Sequence, residues 1–185
     1  MFEIDRAGLI EQSQMIFRLS QNLNTKIKAG TLKTMPLDGN PFADWSSTLF
    51  VADRAQYILL CHTKTLYSTM MFGAGIRTDW QFIERALSCI RELMQDDGYE
   101  SVYQRFIVPA TGRVRFAKAL DRTVTGSLNE LVQAAKYCLD GGERSPFDVG
   151  VELNDLLLSA IAPSKADKYG RPRKAFNALV KSVES

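Results

Sequence analysis

The chain has 185 residues, of which 45% are apolar and 10% aromatic, and this composition is sufficient for one domain with a sizeable core. Its 23 basic and 21 acidic side chains nearly cancel, so the net charge of +2 argues neither for nor against an acidic partner. No apolar run approaches the roughly 18 residues of a membrane span, and Glu3 and Asp5 stand where a secretory signal would be basic, so we expect a cytoplasmic protein that does not bind a membrane.

An N-terminal extension, residues 1–13, precedes the first predicted element. Residues 14–19 are typical of a strand, and Ser20 then stands where it can cap a short helix that ends near Gly30. The segment 31–44 contains two prolines and a glycine and is predicted to be a loop. A loop of this length is expected to serve a function or to cover an edge of the sheet.

Three short strands are predicted over 47–52, 57–62 and 66–72, because these runs are rich in apolar, β-branched and aromatic residues and are bounded by polar clusters. A polar loop of four residues, 53–56, is predicted to join the first two strands. The middle strand is apolar on both faces, so we expect it to lie inside the sheet and to be covered on both sides. Its two apolar sets are Ile58 and Leu60 on one face, and Tyr57, Leu59 and Cys61 on the other.

The clearest helix follows these strands. Thr78 can cap its N-terminus, Gln81 completes a capping-box pattern, and Gly98 is expected to stop it. The helix carries one apolar stripe, which consists of Phe82, Ile83, Ala86, Leu87, Ile90, Leu93 and Met94. We therefore expect this helix to pack along one face of the sheet.

Four further elements are predicted before the C-terminus. They are a helix over 99–108 that Pro109 ends, an edge strand over 113–118, a helix whose apolar face spans 128–139, and a helix from a cap at Ser145 to Ala160. Residues 163–185 are predicted to be a basic C-terminal tail with a short helix over 173–183. Together the elements predict an α+β fold with a mostly antiparallel sheet of about five strands and helices packed on it, in a single domain over 14–162.

Three segments resemble a known bacterial family. They are Met15-Ile16-Phe17-Arg18, Trp45 before an apolar hairpin, and Phe116-x-Lys118-x-x-x-Arg122-x-x-x-Gly126-Ser127-Leu128-Asn129-x-Leu131. Over about residues 14–140 the chain is similar to small bacterial proteins classed only as a domain of unknown function. The resemblance implies a shared α+β fold and no particular activity. In that family the turn after the second hairpin strand tends to carry Asn-Asp, where this chain has His62-Thr63.

Five residues are candidates for ligand binding: Trp45, His62, Arg122, Ser127 and Asn129. Arg122, Ser127 and Asn129 lie at the start of a predicted helix, where an anion could bind, although Ser127 could equally be a cap and Arg122 an ion-pair partner. His62 is the single histidine and could serve as a base or simply support its turn. Trp45 could face a ligand or plug the end of the sheet. The three cysteines are widely spaced, so we predict neither a metal nor a cofactor.

Five cations are candidates for nucleic-acid contact: Arg113, Arg115, Arg171, Arg173 and Lys174. A solvated sheet edge and a solubilising tail would explain the same residues without a nucleic acid. The first hypothesis is therefore a non-enzymatic binding or regulatory domain with an unknown protein or small-molecule partner. Two alternatives remain open: an enzyme acting on a small anionic substrate near Arg122, and nucleic-acid association through the basic tail.

Overall fold

The computed structural model describes residues 13–184, so almost all of the N-terminal extension over 1–13 lies outside the described residues. The strands are β1 (Met15–Leu19), β2 (Asp44–Ala52), β3 (Ala55–His62), β4 (Ser68–Phe72) and β5 (Val114–Ala117). The helices are α1 (Gln21–Ile27), α2 (Asp79–Asp96), α3 (residues 100–110), α4 (Arg122–Leu139), α5 (Pro146–Leu153) and α6 (Pro172–Glu184), with a 3-10 turn at Ser159–Ile161.

The five strands form one mixed sheet in the order β4-β3-β2-β1-β5. Strand β1 is parallel to both of its neighbours, β2 and β5, while β2, β3 and β4 form an antiparallel meander. The predicted α+β class and the five-stranded sheet with helices packed on it are confirmed. The predicted caps are also confirmed, because Ser20, Thr78 and Ser145 each accept a hydrogen bond from the backbone three residues later.

Each face of the sheet carries its own core. Helices α1, α2, α3 and α6 bury one face, and Ile58 and Leu60 of β3 belong to that first core. Helices α4 and α5 bury the other face, where Tyr57, Leu59 and Cys61 belong to the second core. The prediction that β3 is covered on both sides is therefore confirmed, and side chains on opposite faces of the sheet cannot share a site.

Helix α5 covers the β4 edge of the sheet at very close range. A Cβ atom on Gly150 would lie 2.6 Å from the Met70 nitrogen, so only glycine fits there. One turn later, the Asn154 side chain accepts a hydrogen bond from the Ser68 N–H at 2.6 Å and donates one to the Ser68 carbonyl at 2.8 Å. Asn154 thereby bonds the backbone N–H and carbonyl of Ser68, which would otherwise lack partners at this edge of the sheet.

Several predicted boundaries were wrong. The loop between β2 and β3 has two residues rather than four, because Asp53 and Arg54 both adopt positive φ angles, of 42° and 62°, and Ala52 already pairs with Ala55. The fourth strand begins at Ser68, since Leu66 turns through a positive φ of 60°. Positive φ angles are unusual for residues other than glycine, and the residue types at these three positions do not predict them.

Two helix ends also differ from prediction. Pro109 lies within α3, where it follows directly on a π-helical turn over Tyr103–Ile107 in which the Val108 N–H donates to the Tyr103 carbonyl five residues back. Helix α5 ends at Leu153, seven residues before the predicted end at Ala160.

The C-terminal segment differs most from its predicted description as a tail. Its helix, α6, is confirmed, but Phe176 is fully buried in the first core and Val180 is nearly so. The folded unit thus extends well beyond the predicted boundary at residue 162. None of the described helices is both long and apolar enough to cross a membrane.

Candidate functional site

His62 and Trp45 come together at the end of the sheet where β2 begins and β3 ends. They are register partners, and their rings lie 5.7 Å apart in an edge-on arrangement. The Trp45 ring is fully buried, and its Nε1–H donates to the Phe42 carbonyl at 2.9 Å. The Trp45 ring therefore packs inside the protein at this end of the sheet, and its single polar atom already has a hydrogen-bond partner.

Both nitrogens of His62 are engaged inside the protein. Nε2 lies 2.8 Å from the Pro41 carbonyl, which can only accept, so Nε2 carries the proton. Nδ1 then accepts from the Thr65 hydroxyl at 2.8 Å. Burial lowers the pKa of His62 to about 4, so the ring is neutral near pH 7. In this arrangement His62 supports the loop and the turn around it and presents no nitrogen to a substrate.

A buried ion pair beside this histidine was not predicted from the sequence. Arg18 on β1 holds Asp44 on β2 through two parallel bonds, Nε–Oδ1 at 2.8 Å and Nη2–Oδ2 at 2.7 Å. Thr63 donates to the same carboxylate at 2.7 Å. The guanidinium also donates to the Met35 and Pro36 carbonyls at 2.9 and 3.0 Å, which fastens the loop over 31–43 to the sheet. A single arginine inside an apolar strand is the signal that could have revealed the pair.

A cavity of about 200 Å³ lies against Asp44 and His62 and is also lined by Asp38, Asn40 and Lys64. Its polar wall is largely occupied. Asn40 bonds to Ser13 and to the Phe106 carbonyl, and Asp38 accepts from the Asn40 N–H. No group of three potential metal-ligating side chains gathers here or elsewhere between residues 13 and 184. The polar side chains of Asp38, Asn40, Asp44 and His62 in the cavity wall thus all have hydrogen-bond partners within the protein.

The predicted anion site on α4 is not assembled. Asp121 caps the helix by accepting from the Val124 N–H at 2.9 Å. Ser127 is buried and donates to the Thr123 carbonyl at 3.0 Å, whereas Arg122 and Asn129 are exposed. Helix α4 packs on the second core, so these residues lie across the sheet from Trp45 and His62.

The candidate nucleic-acid residues divide into two distant groups. Arg113 and Arg115 lie at β5, on one edge of the sheet, and both are exposed. The remaining three lie at the start of α6, towards the β4 side. There Arg173 forms an ion pair with Asp97, contacts Asp155 at 3.6 Å and donates to the Val151 carbonyl at 3.3 Å. Arg173 thus anchors α6 to the rest of the domain and is not available to a phosphate.

An open groove lies beside the other two cations. It has a volume of about 570 Å³ and runs between α6 and the segment that precedes it. We call it the C-terminal groove; its lining includes Leu157, Ile161, Pro163, Tyr169, Arg171 and Lys174. The sequence identified the cations but not the exposed Leu157 and Tyr169, because the helix predicted to reach Ala160 includes Leu157 whereas the observed helix ends at Leu153.

An isolated backbone bridge between Leu158 and Gly170 determines the shape of the groove. Leu158 and Gly170 exchange two hydrogen bonds of 2.9 Å, and Leu158 points into the second core. Successive residues of an extended chain point to opposite sides, so the neighbours Leu157, Tyr169 and Arg171 point outward together. Their exposure agrees: Leu157 is 58% and Tyr169 55% exposed.

Burial keeps two of the thiols, Cys61 and Cys89, in the unreactive protonated form. Burial raises the pKa of Cys61 far above its ordinary value and that of Cys89 to about 11. Tyr67 donates its hydroxyl to Asp97, and burial together with that carboxylate raises its pKa strongly. These groups therefore remain protonated near neutral pH.

Comparison with known proteins gives one family. Residues 16–175 match the family described as "Domain of unknown function (DUF6933)". No curated protein and no solved structure shows significant similarity to the chain. The match begins close to where the sequence resemblance began and continues through the anchoring residue Arg173. Since it spans most of the 185 residues, the chain belongs to the DUF6933 family, a domain of unknown function.

Proposed function

We propose that this chain is a non-enzymatic binding module that holds an acidic segment of a partner protein in the C-terminal groove. One observation carries the proposal. Two large apolar side chains, Leu157 and Tyr169, are more than half exposed beside two cations, Arg171 and Lys174, that form no ion pair within the described residues. An apolar centre with a charged rim is the usual anatomy of a protein-binding site.

The groove is preorganised, which favours binding because little ordering is needed when a partner arrives. The two hydrogen bonds between Leu158 and Gly170 join the two ends of the segment 158–170. A Cβ on Gly170 would lie 2.0 Å from the Ile161 carbonyl, so the 3-10 turn packs directly on that glycine. The contacts of Arg173 with Asp97 and Asp155 fix the beginning of α6.

The charge of residues 163–175 indicates which kind of partner the groove would bind. Residues 163–175 contain five basic side chains and one acidic one, Asp167. Asp167 accepts a hydrogen bond from Ser164 at 3.1 Å, and Arg173 is neutralised within the fold. Lys165, Lys168, Arg171 and Lys174 face solvent against one exposed carboxylate, that of Asp167, which also lines the groove. The net charge of these five side chains is +3, which suits Asp and Glu in a partner.

A non-enzymatic role is supported by the state of the reactive groups. Both nitrogens of His62 are bonded within the protein, and the pKa of Cys61 is raised by burial. Arg122 lies on the opposite face of the sheet from His62, so the pair lacks the convergence that acid–base catalysis on an anionic substrate would need.

The proposal is tested with two fluorescein-labelled peptides of equal length, each carrying a central Phe-Leu pair. One has flanking glutamates and the other flanking lysines. Fluorescence anisotropy with the full-length chain at low salt should detect the acidic peptide only. Tyr169→Ala should weaken its binding about tenfold, the effect expected for an exposed aromatic anchor. Exchanging Arg171 and Lys174 for glutamate should transfer the preference to the basic peptide.

The matched control is Tyr137→Ala. Tyr137 is 87% exposed on α4 and does not line the groove, so its removal should leave peptide binding unchanged. Equal affinity for the acidic and basic peptides would contradict the proposal. An equal loss of peptide affinity in Tyr137→Ala and Tyr169→Ala would also contradict it, since the peptide would then bind exposed tyrosines without needing the groove.

A further inference from the structure

A second positively charged surface exists at the opposite edge of the sheet. Residues 13–37 contain four basic and no acidic side chains, and residues 101–120 repeat that count. The rest of the chain holds only 15 of the 23 basic residues against all 21 acidic ones. The two segments are far apart in sequence, so no local charge run reveals them, but β1 and β5 bring them side by side.

The pairing at β5 gathers four exposed cations, which we call the basic edge: Lys33, Arg113, Arg115 and Lys118. Arg113 and Arg115 alternate with Val114 and Phe116, which pack on the first core, so both arginines point to the other side of the strand. Lys33 forms a bridge with Ala117 on the outer side of β5, and its carbonyl accepts from the Lys118 N–H at 3.0 Å.

The charge of the basic edge is not neutralised within the described fold. None of its four cations forms an ion pair among residues 13–184. Arg18, by contrast, is buried against Asp44. Asp121, the nearest acidic residue that follows in sequence, caps α4 and forms no ion pair with these cations. A concentrated positive field with no internal partner favours a polyanion.

The composition of this surface distinguishes among polyanions. Two of the exposed large apolar side chains, Leu37 and Val108, lie in the segments 13–37 and 101–120. Neither adjoins one of the four cations in sequence, so the basic edge itself lacks the apolar anchors of a protein interface. Neither segment contains an exposed aromatic ring of the kind on which unpaired bases stack. The exposed Trp80 belongs to α2, which packs on Phe116 at the face of β5 opposite the two arginines. A cleft of about 450 Å³ adjoins Lys118; its lining combines the uncharged polar side chains of Gln21, Asn24 and Thr31 with the apolar residues Leu19, Leu32 and Ala119. Cations and uncharged polar groups together are the usual contacts of phosphates.

We propose that the basic edge binds the phosphate backbone of double-helical nucleic acid without reading its sequence. Arg113 and Arg115 are two strand positions apart, roughly 7 Å, and contact neighbouring phosphates. Lys33 and Lys118 extend the contact around the edge. This function is separate from the C-terminal groove, which lies beside α6 at the other side of the sheet.

The test uses fluorescein-labelled 24-base-pair duplexes of mixed sequence, one of DNA and one of RNA, with the full-length chain. Anisotropy titrations at 50, 100 and 200 mM KCl should show affinity that falls with salt. Four phosphate contacts predict a slope of about −3.6 in log K against log salt, which is a loss on the order of 100-fold over this range. A higher affinity for one duplex assigns the backbone that the edge prefers.

Variants locate the contact. The double variant Arg113→Gln with Arg115→Gln should flatten the slope by about 2, and Lys33→Gln by about 1. Their melting temperatures should match that of the unmodified chain, because all three side chains are exposed. The matched control, Arg171→Gln with Lys174→Gln, alters the C-terminal groove and should leave the slope unchanged, so failure at one site is distinguishable from failure at the other.

Three results would overturn the proposal. One is the absence of duplex binding at 50 mM KCl. Another is an unchanged slope in the Arg113 and Arg115 variant. The last is tighter binding of a 24-nucleotide single strand than of either duplex, since that would require base stacking rather than backbone contact.

Discussion

At the scale of the residue, His62 makes stability depend on pH. Its pKa is lowered to about 4, mainly by burial, whereas in the unfolded chain it is near 6.5. The unfolded state therefore binds the proton more readily between these values. The stabilisation from the neutral ring is complete above pH 6.5 and is lost as the pH falls towards 4.

The expected size of this effect follows from the two pKa values. Between pH 7.5 and pH 5.0, His62 alone should lower the free energy of unfolding by about 2 kcal/mol. Urea unfolding of the unmodified chain and of His62→Gln at both pH values measures it. The variant should lack this part of the pH dependence, while the carboxylates that both proteins share cancel in the comparison. Parallel pH dependence in the two proteins would show that His62 does not titrate differently on folding.

The same surroundings show why the chemistry of a residue is hard to predict from its type. The sequence makes His62 a candidate base because it is the single histidine. Its partners, Pro41 and Thr65, come from a loop and a turn, and no local pattern announces those bonds. Arg18 and Asp44 are 26 residues apart and meet only because β1 pairs with β2. Local sequence identifies the groups, but the pairing of strands decides what they do.

At the scale of the element, prediction succeeded where one dominant physical cause operates. The apolar stripe and the Thr78 cap define α2, and the apolar residues on both faces of β3 identify it as a strand covered on both sides. Prediction failed where tertiary contacts determine a boundary. Helix α5 ends at Leu153 because the next residue, Asn154, is held by Ser68 of β4, 86 positions earlier. Leu156, Leu157 and Ala160 have the spacing of a helical apolar face, but they lie beyond the end of the helix.

The close contact of α5 with β4 gives a prediction at this scale. Gly150→Ala places a methyl group 2.6 Å from the Met70 nitrogen, and backbone atoms cannot easily move aside. We expect a loss of about 1–3 kcal/mol in the free energy of unfolding, as for other overpacked sites. Denaturant unfolding monitored by circular dichroism measures it.

Gly126→Ala is the matched control, because Gly126 lies within α4 and a Cβ atom added there would meet no other part of the protein within 4 Å. There the substitution should stabilise the protein by about 0.5–1 kcal/mol through helix propensity alone. The two variants make the same chemical change and should act with opposite signs. Stabilisation by Gly150→Ala would mean that α5 sits further from β4 than the structure indicates.

At the scale of the whole molecule, the sheet separates surfaces that the sequence places together. The basic residues proposed as one nucleic-acid set lie on opposite sides of the sheet, some at β5 and some beside α6. The C-terminal groove and the basic edge are therefore independent surfaces. Each depends on residues distant in sequence, Leu157 with Tyr169 in one case and Lys33 with Arg115 in the other. Only the fold shows which charges act together.

The position of α6 determines how the C-terminal segment can be studied. Phe176 is fully buried and stacks on Tyr67 with ring centroids 4.2 Å apart, and it also contacts Phe42, His62 and Tyr99. Phe176→Ala should therefore cost about 3–5 kcal/mol of unfolding free energy. Lys174→Ala, an exposed change on the same helix, should stay within about 0.5 kcal/mol. Thermal unfolding followed by circular dichroism distinguishes them.

Deletion of residues 163–185 should be more damaging than either substitution, because it uncovers the aromatic cluster that Phe176 closes. The truncated chain should bind the dye ANS and lose near-ultraviolet circular dichroism, as expected when specific packing is lost. A loss of partner or nucleic-acid binding on truncation would then report unfolding rather than lost charge, whereas substitution of exposed side chains such as Arg171 and Lys174 removes charge from the folded protein. A truncated chain with an unchanged melting temperature would show instead that the domain closes before α6.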